Sequence, residues 1–135
     1  MNVPFVVPFY AGIFALIYFF LAMRVARRRG QARIALGAGG DAELERRIRI
    51  HGNFGEYVPF ILLMLGFAEV QHWSRYLLHA LCIVLLIGRL SHAIALSRDG
   101  SVGPLRGLGM ALTGAVLIIA ALMLIYEFFL VLPTV

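Results

Sequence analysis

Residues 57–68 read Tyr-Val-Pro-Phe-Ile-Leu-Leu-Met-Leu-Gly-Phe-Ala and carry no charge, and runs of this kind return along the chain. They cover about residues 3–23, 54–70, 76–96 and 105–132. Each can cross a bilayer as a helix, because ~20 residues at ~1.5 Å per residue match a hydrocarbon core ~30 Å thick. The runs are continuously apolar and do not alternate, which argues against a closed β-barrel. A chain of 135 residues that is 61% hydrophobic and 14% charged also lacks the polar surface of a soluble domain. The expectation is an all-α integral membrane protein. Its residues 1–135 would form one domain, a four-transmembrane-helix up-down bundle with short connections.

Local signals mark the boundaries. No basic segment precedes the first run, and its positive charge follows it, so it reads as a retained span and not a cleaved signal. That run ends in Arg24-Val-Ala-Arg27-Arg28-Arg29-Gly30. A glycine-rich link, Gly37-Ala-Gly39-Gly40, then leads to Asp41, a suitable N-cap for a second helix beginning near residue 42. Glu43 and Glu45 would complement the dipole in its first turns. This helix is polar and amphipathic to about Asn53, so it would extend beyond the bilayer before entering it. Trp73 and Tyr76 suit an interfacial aromatic belt. The link Ser97-Arg98-Asp99-Gly100-Ser101-Val102-Gly103 has turn chemistry, and Pro104 suits the first turn of the fourth helix.

The charge is equally patterned. All 12 basic residues are arginine, and eight lie between Arg24 and Arg49, at the end of one span and the start of the next. A cluster so placed anchors a cytoplasmic membrane surface and argues against a nucleic-acid partner. The links between spans one and two and between three and four hold, with their flanks, every arginine except Arg75. The positive-inside rule puts both links in the cytoplasm and both termini outside. The single cysteine, Cys82, reads as a small core residue. His51, His72, His79 and His92 show no i, i+3 or i+4 pairing, so no metal site is expected.

Against this apolar background the polar residues stand out. Arg49, Asn53 and Glu56 fall at i, i+4 and i+7 and share one stripe of the second helix. Two readings are open. Glu56 could be neutralised by Arg49 or a neighbouring arginine within the membrane, with Asn53 bonding across helices. Alternatively the cation, amide and anion recognise a small zwitterionic ligand, arginine taking its carboxylate and glutamate its ammonium. On the third helix Arg89 and His92 share a face with Leu96. Arg89 could snorkel to the interface, and His92 could be a packed interhelical donor. Arg106, in Pro104-Leu105-Arg106-Gly107-Leu108-Gly109, could anchor the helix or stabilise an anion. Gly103, Gly107 and Gly109 would allow close helix approach.

The stretch Glu45-Arg-Arg-Ile-Arg49-Ile-His51-Gly-Asn53-Phe-Gly-Glu56-Tyr57-Val-Pro59 resembles the second helix of the MAPEG family, the membrane-associated proteins in eicosanoid and glutathione metabolism. Gly88-Arg89-Leu90-Ser91-His92-Ala93 is similar to the third-helix signature of bacterial members. The resemblance implies a homotrimer in a bacterial inner membrane, with both termini periplasmic. It implies glutathione as co-substrate, bound between subunits near the cytoplasmic face. Arg49, Asn53, Glu56 and Tyr57 occupy the family's glutathione-contact positions, and His51 matches a position that contributes in several members. His51 lies about 200° from Arg49 on an ideal helix, so it could serve a different subunit's site. Arg106 matches the arginine that stabilises the glutathione thiolate. One departure concerns His92 and Leu96, which stand where eicosanoid-forming relatives carry tyrosines.

The implied function is a membrane-bound glutathione-dependent transferase or peroxidase. Arg49 and Arg89 would pair with glutathione carboxylates, Glu56 would hold its ammonium group, and Asn53 would orient its backbone. His92 belongs to the same candidate binding set. Arg106 would favour the thiolate, which attacks a small apolar electrophile or hydroperoxide arriving through the membrane lipids. The competing expectation is a non-catalytic membrane protein that binds lipid or a protein partner and uses the same polar residues structurally.

Overall fold

The computed structural model describes residues 3–97 and 103–131. The turn expected at Arg98–Val102 and the expected end of the fourth span at Leu132 lie outside the described residues. Four helices account for nearly everything else: α1 (Val6–Ala32), α2 (Ala42–Val70), α3 (Arg75–Ser97) and α4 (Pro104–Val131). All four are long and apolar enough to cross a membrane, so the chain is an integral membrane protein. The helix starts agree with the expected ones: Asp41 caps α2, its Oδ1 accepting from the Leu44 amide at 2.7 Å, and Pro104 opens α4. Pro59 lies inside α2 without ending it, as neighbouring helices permit in a membrane bundle.

Packing is uneven around the bundle. α2 touches all three other helices, whereas α1 and α4 share no face among the described residues. α1 is therefore held by α2 and, more lightly, by α3. The shared core includes Phe14, Phe54, Ile61, Leu65, Leu78 and Leu85, and Cys82 is fully buried within it. Outward faces remain apolar, with Phe19 and Phe20 on α1 and Phe128 and Phe129 on α4 exposed, as hydrocarbon or a neighbouring subunit requires.

Polar groups pin the two ends. At the end holding Trp73, Glu69 of α2 reaches the first turn of α1. Its Oε1 accepts from the Phe5 and Val6 amides at 2.9 and 2.7 Å, and its Oε2 accepts from the Val7 amide at 2.8 Å. Those amides have no partner within their own helix, and a carboxylate complements the positive end of the dipole. Tyr10 Oη also hydrogen-bonds His79 Nδ1 at 3.1 Å, tying α1 to α3. At the opposite, arginine-rich end, Arg28 of α1 donates to the capping Asp41, with Nη2 at 2.7 Å from Oδ2. Arg47 donates to the Arg24 carbonyl at 2.8 Å and to Glu43.

Two outcomes follow. Glu69→Gln should weaken α1 docking by about 1.5–3 kcal/mol, the range for hydrogen bonds to a charged acceptor; hydrogen exchange at the Phe5–Val7 amides should rise selectively. The Arg28 hydrogen bond and then the Leu44 amide hold the Asp41 carboxyl below its usual range. A group depressed in the folded state contributes fully above its unfolded value of about 4 and loses that contribution as pH falls through the lower folded value. The α1–α2 link should therefore loosen only in strong acid, read as amide exchange around Leu44, and Asp41→Asn should abolish that acid step.

Candidate functional site

The tightest helix crossing positions the candidate site. A Cβ added at Gly109 of α4 would sit 2.7 Å from the Gly88 carbonyl oxygen and 2.8 Å from the His92 amide nitrogen, both backbone atoms of α3. A Cβ at Gly88 would meet Leu112 Cβ at 3.1 Å. The close approach expected from small residues is thus made by the Gly88–Gly109 pair. Gly107 takes no part, since a Cβ there meets nothing within 4 Å.

Beside this crossing α3 buries Arg89, 2% exposed, and His92, 3% exposed. Arg89 does not snorkel. Its Nη1 donates to the Asn53 carbonyl oxygen at 3.2 Å, its Nη2 faces Met110 Sδ at 3.8 Å, and its guanidinium carbon lies 5.6 Å from the Tyr57 ring centroid. Its Nε has no hydrogen-bond partner, and no salt bridge to Arg89 exists among the described residues. A buried guanidinium without a counter-ion is a costly arrangement, and such groups in a span mark sites. Arg106 lies one turn before Met110 on α4, about 6 Å nearer the arginine-rich end, and is half-buried. Leu96, 5% exposed, continues the buried face of Arg89 and His92. His92 and Leu96 are therefore both packed within this chain.

The second-helix residues divide among three directions. Arg49 is exposed and pairs with Glu45, one turn back, at 3.0 Å and not with Glu56. Asn53 donates its side-chain amide to the Arg49 carbonyl at 3.0 Å. Glu56 is exposed and forms no salt bridge among the described residues, so the internal Arg49–Glu56 pair is not formed. His51 turns toward α1, where its ring stacks on Tyr18 with centroids 4.5 Å apart. Gly55 makes room for that stack, since a Cβ there would lie 3.1 Å from Tyr18 Oη. Asn53, Tyr57, Arg89 and, one turn away, Arg106 thus gather around one point. Arg49 and Glu56 flank it on the outside of the chain, and His51 faces elsewhere.

The class is that of a polytopic all-α membrane protein whose polar side chains converge near one end of a four-helix bundle. The profile of the MAPEG family matches residues 7–126, most of the sequence. The chain belongs to the MAPEG family. It is similar to two curated proteins named "Inner membrane protein YecN", from Escherichia coli strain K12 and Escherichia coli O6:H1. Each is 42% identical over 83 residues, 62% of this chain and 63% of the relative, so the match spans less than two thirds of those proteins.

Sequence reasoning overlooked Glu69 and the part played by Arg47. Glu69 is one carboxylate near the end of an apolar run, and its partners lie 62 to 64 residues away. No local pattern encodes such a distance. Gly109→Ala should destabilise the protein by about 1–3 kcal/mol through overpacking, despite a helix-propensity gain of up to ~1 kcal/mol. Gly107→Ala has open space and should be neutral or stabilising, so thermal melts of the two variants in detergent should separate clearly.

Proposed function

We propose that the protein is a glutathione-dependent transferase or peroxidase acting on apolar electrophiles or hydroperoxides, assembled as a homotrimer in a bacterial inner membrane. One observation carries this reading. Arg49 and Glu56 face outward on α2 on either side of Asn53, whose carbonyl holds the buried Arg89; among the described residues Glu56 has no cation and Arg89 no carboxylate in ion-pair contact. An exposed carboxylate at the edge of a span is costly against lipid, so this surface suits a polar ligand covered by a neighbouring subunit.

Glutathione supplies the complementary groups. Its two carboxylates match Arg49 and Arg89, its ammonium matches Glu56, and its amide backbone lies along Asn53 and Tyr57. His92 lies at the Gly109 crossing beside the buried Arg89, whereas His51, stacked on Tyr18, would serve a neighbouring subunit's site. Arg106 favours the ligand's thiolate over its thiol and so raises the nucleophile fraction at neutral pH. The thiolate sulfur then bonds to the electrophilic carbon and expels its leaving group. With a hydroperoxide it attacks the outer oxygen and breaks the O–O bond, giving a sulfenic acid and an alkoxide that takes a proton to leave as alcohol. A second glutathione thiol then attacks the sulfenic sulfur, releasing water and leaving the glutathione disulfide. The arginine-rich end faces the cytoplasm by the positive-inside rule, with both termini periplasmic.

A second reading rests on the local bonds of α2: Arg49 already pairs with Glu45 and Asn53 with its own helix, as a non-catalytic lipid- or partner-binding protein would allow. Titration of glutathione into detergent-purified protein, followed by thiolate difference absorbance, separates the two. Saturable thiolate formation is expected at neutral pH; a flat trace with no calorimetric binding would refute the glutathione reading. Arg106→Ala should keep binding within a few-fold while turnover falls ~10²-fold or more, the scale of a lost anion-stabilising donor. Glu56→Gln should lose activity with the oligomer intact, whereas a structural role predicts loss of the assembly.

A further inference from the structure

Three cavities meet at one side chain near the arginine-rich end. A groove of about 260 Å³ runs between α1 and α3, walled by Ile17, Phe20 and Leu21 on one side and Leu90, Ala93 and Ile94 on the other. Arg89 borders its inner part, and Arg24 and Ser97 border the other end. The eight residues from Arg89 to Ser97 give it a length of about 12 Å along α3. Arg24 also lines a cavity of about 350 Å³ with Arg27 and Arg47, and a smaller one of about 100 Å³ with Arg46, Arg47 and Glu43. The apolar groove therefore adjoins a basic vestibule, with Arg24 lining both.

Among the described residues that vestibule is short of anions. Arg24, Arg27 and Arg46 form no salt bridge among the described residues. Glu43 is shared between Arg47 and Arg28, and the Arg47 Nε is buried without a partner. The charge invites an anion, and the groove beneath it invites a chain of methylenes pointing into the bilayer. A soluble anion would leave the groove unfilled. A second copy of this chain would offer the vestibule more arginine and no headgroup anion, so it would leave the charge of this corner unanswered.

We propose that this groove and vestibule form a specific site for one anionic glycerophospholipid. Its phosphodiester lies on Arg24, Arg27 and Arg47, and one acyl chain lies between α1 and α3. Basic pockets between helix ends at a membrane surface bind such headgroups, and the burial of methylenes adds to the charge attraction. The site is independent of the glutathione reading, and either can fail alone.

The test is native mass spectrometry of the full chain released from vesicles of equal parts phosphatidylglycerol and phosphatidylcholine. The wild type should retain phosphatidylglycerol in preference, and Arg24→Gln/Arg27→Gln should lower that preference about tenfold or more. Ala93→Phe fills the groove without changing charge and should lower retention of the anionic lipid as well. Size-exclusion profiles and helical circular dichroism check folding. If Ala93→Phe does not fold, the arginine pair decides alone, because both side chains sit at the rim. Equal retention of the two lipids by the wild type would overturn the proposal, as would a preference unaltered in the arginine variant. Loss of the oligomer in Ala93→Phe with lipid preference unchanged would assign the groove to a second copy instead and overturn it too.

Discussion

A guanidinium withdrawn from water and left, among the described residues, without a carboxylate needs every neighbouring acceptor it can find, and the meeting of α2, α3 and α4 answers that need. Arg89 finds a main-chain oxygen on α2, a thioether on α4 and the face of Tyr57. These three contacts draw three helices to one level. They require α4 to lie close, which the Gly88–Gly109 contact permits because no Cβ stands between the backbones. The other end meets the same problem with the opposite sign. There Glu69 is satisfied by three main-chain amides of α1, with no cation in salt-bridge contact among the described residues. In both cases the main chain takes the place of a counter-ion.

This economy leaves the outward charges of α2 without an internal duty. Glu56 in particular has no cation in ion-pair contact among the described residues, although Arg89 lies one helix away. The bundle thus keeps an arginine inside and a glutamate outside, both near Asn53, and the proposed function has a polar ligand bridge them. In the proposed function that bridge is glutathione.

Much of the fold was legible in the chain. Apolar runs of bilayer length set four helices, since hydrocarbon leaves a backbone no other way to satisfy its own polar groups. Asp41 and Pro104 marked their starts through capping and the missing proline N–H, both local effects. The candidate site was legible only as a roster. The one-stripe spacing of Arg49, Asn53 and Glu56 is a property of any helix, but their partners are not. Arg49 chose Glu45, one turn back, because a neighbour on the same helix is held at close range with little further loss of freedom.

The sequence by itself therefore determined that this is a four-helix membrane protein with arginine gathered toward one end, because hydrophobic length and charge order act along the chain. Only the tertiary structure decided that Arg89 is buried instead of snorkelling, that His51 faces Tyr18, and that Glu69 receives the start of α1. Each of those outcomes depends on which helix lies opposite and how closely it approaches. For Arg89 the approach is set at the Gly88–Gly109 crossing, for His51 at the α1–α2 contact that Gly55 opens to Tyr18, and for Glu69 by the unpaired amides at the start of α1.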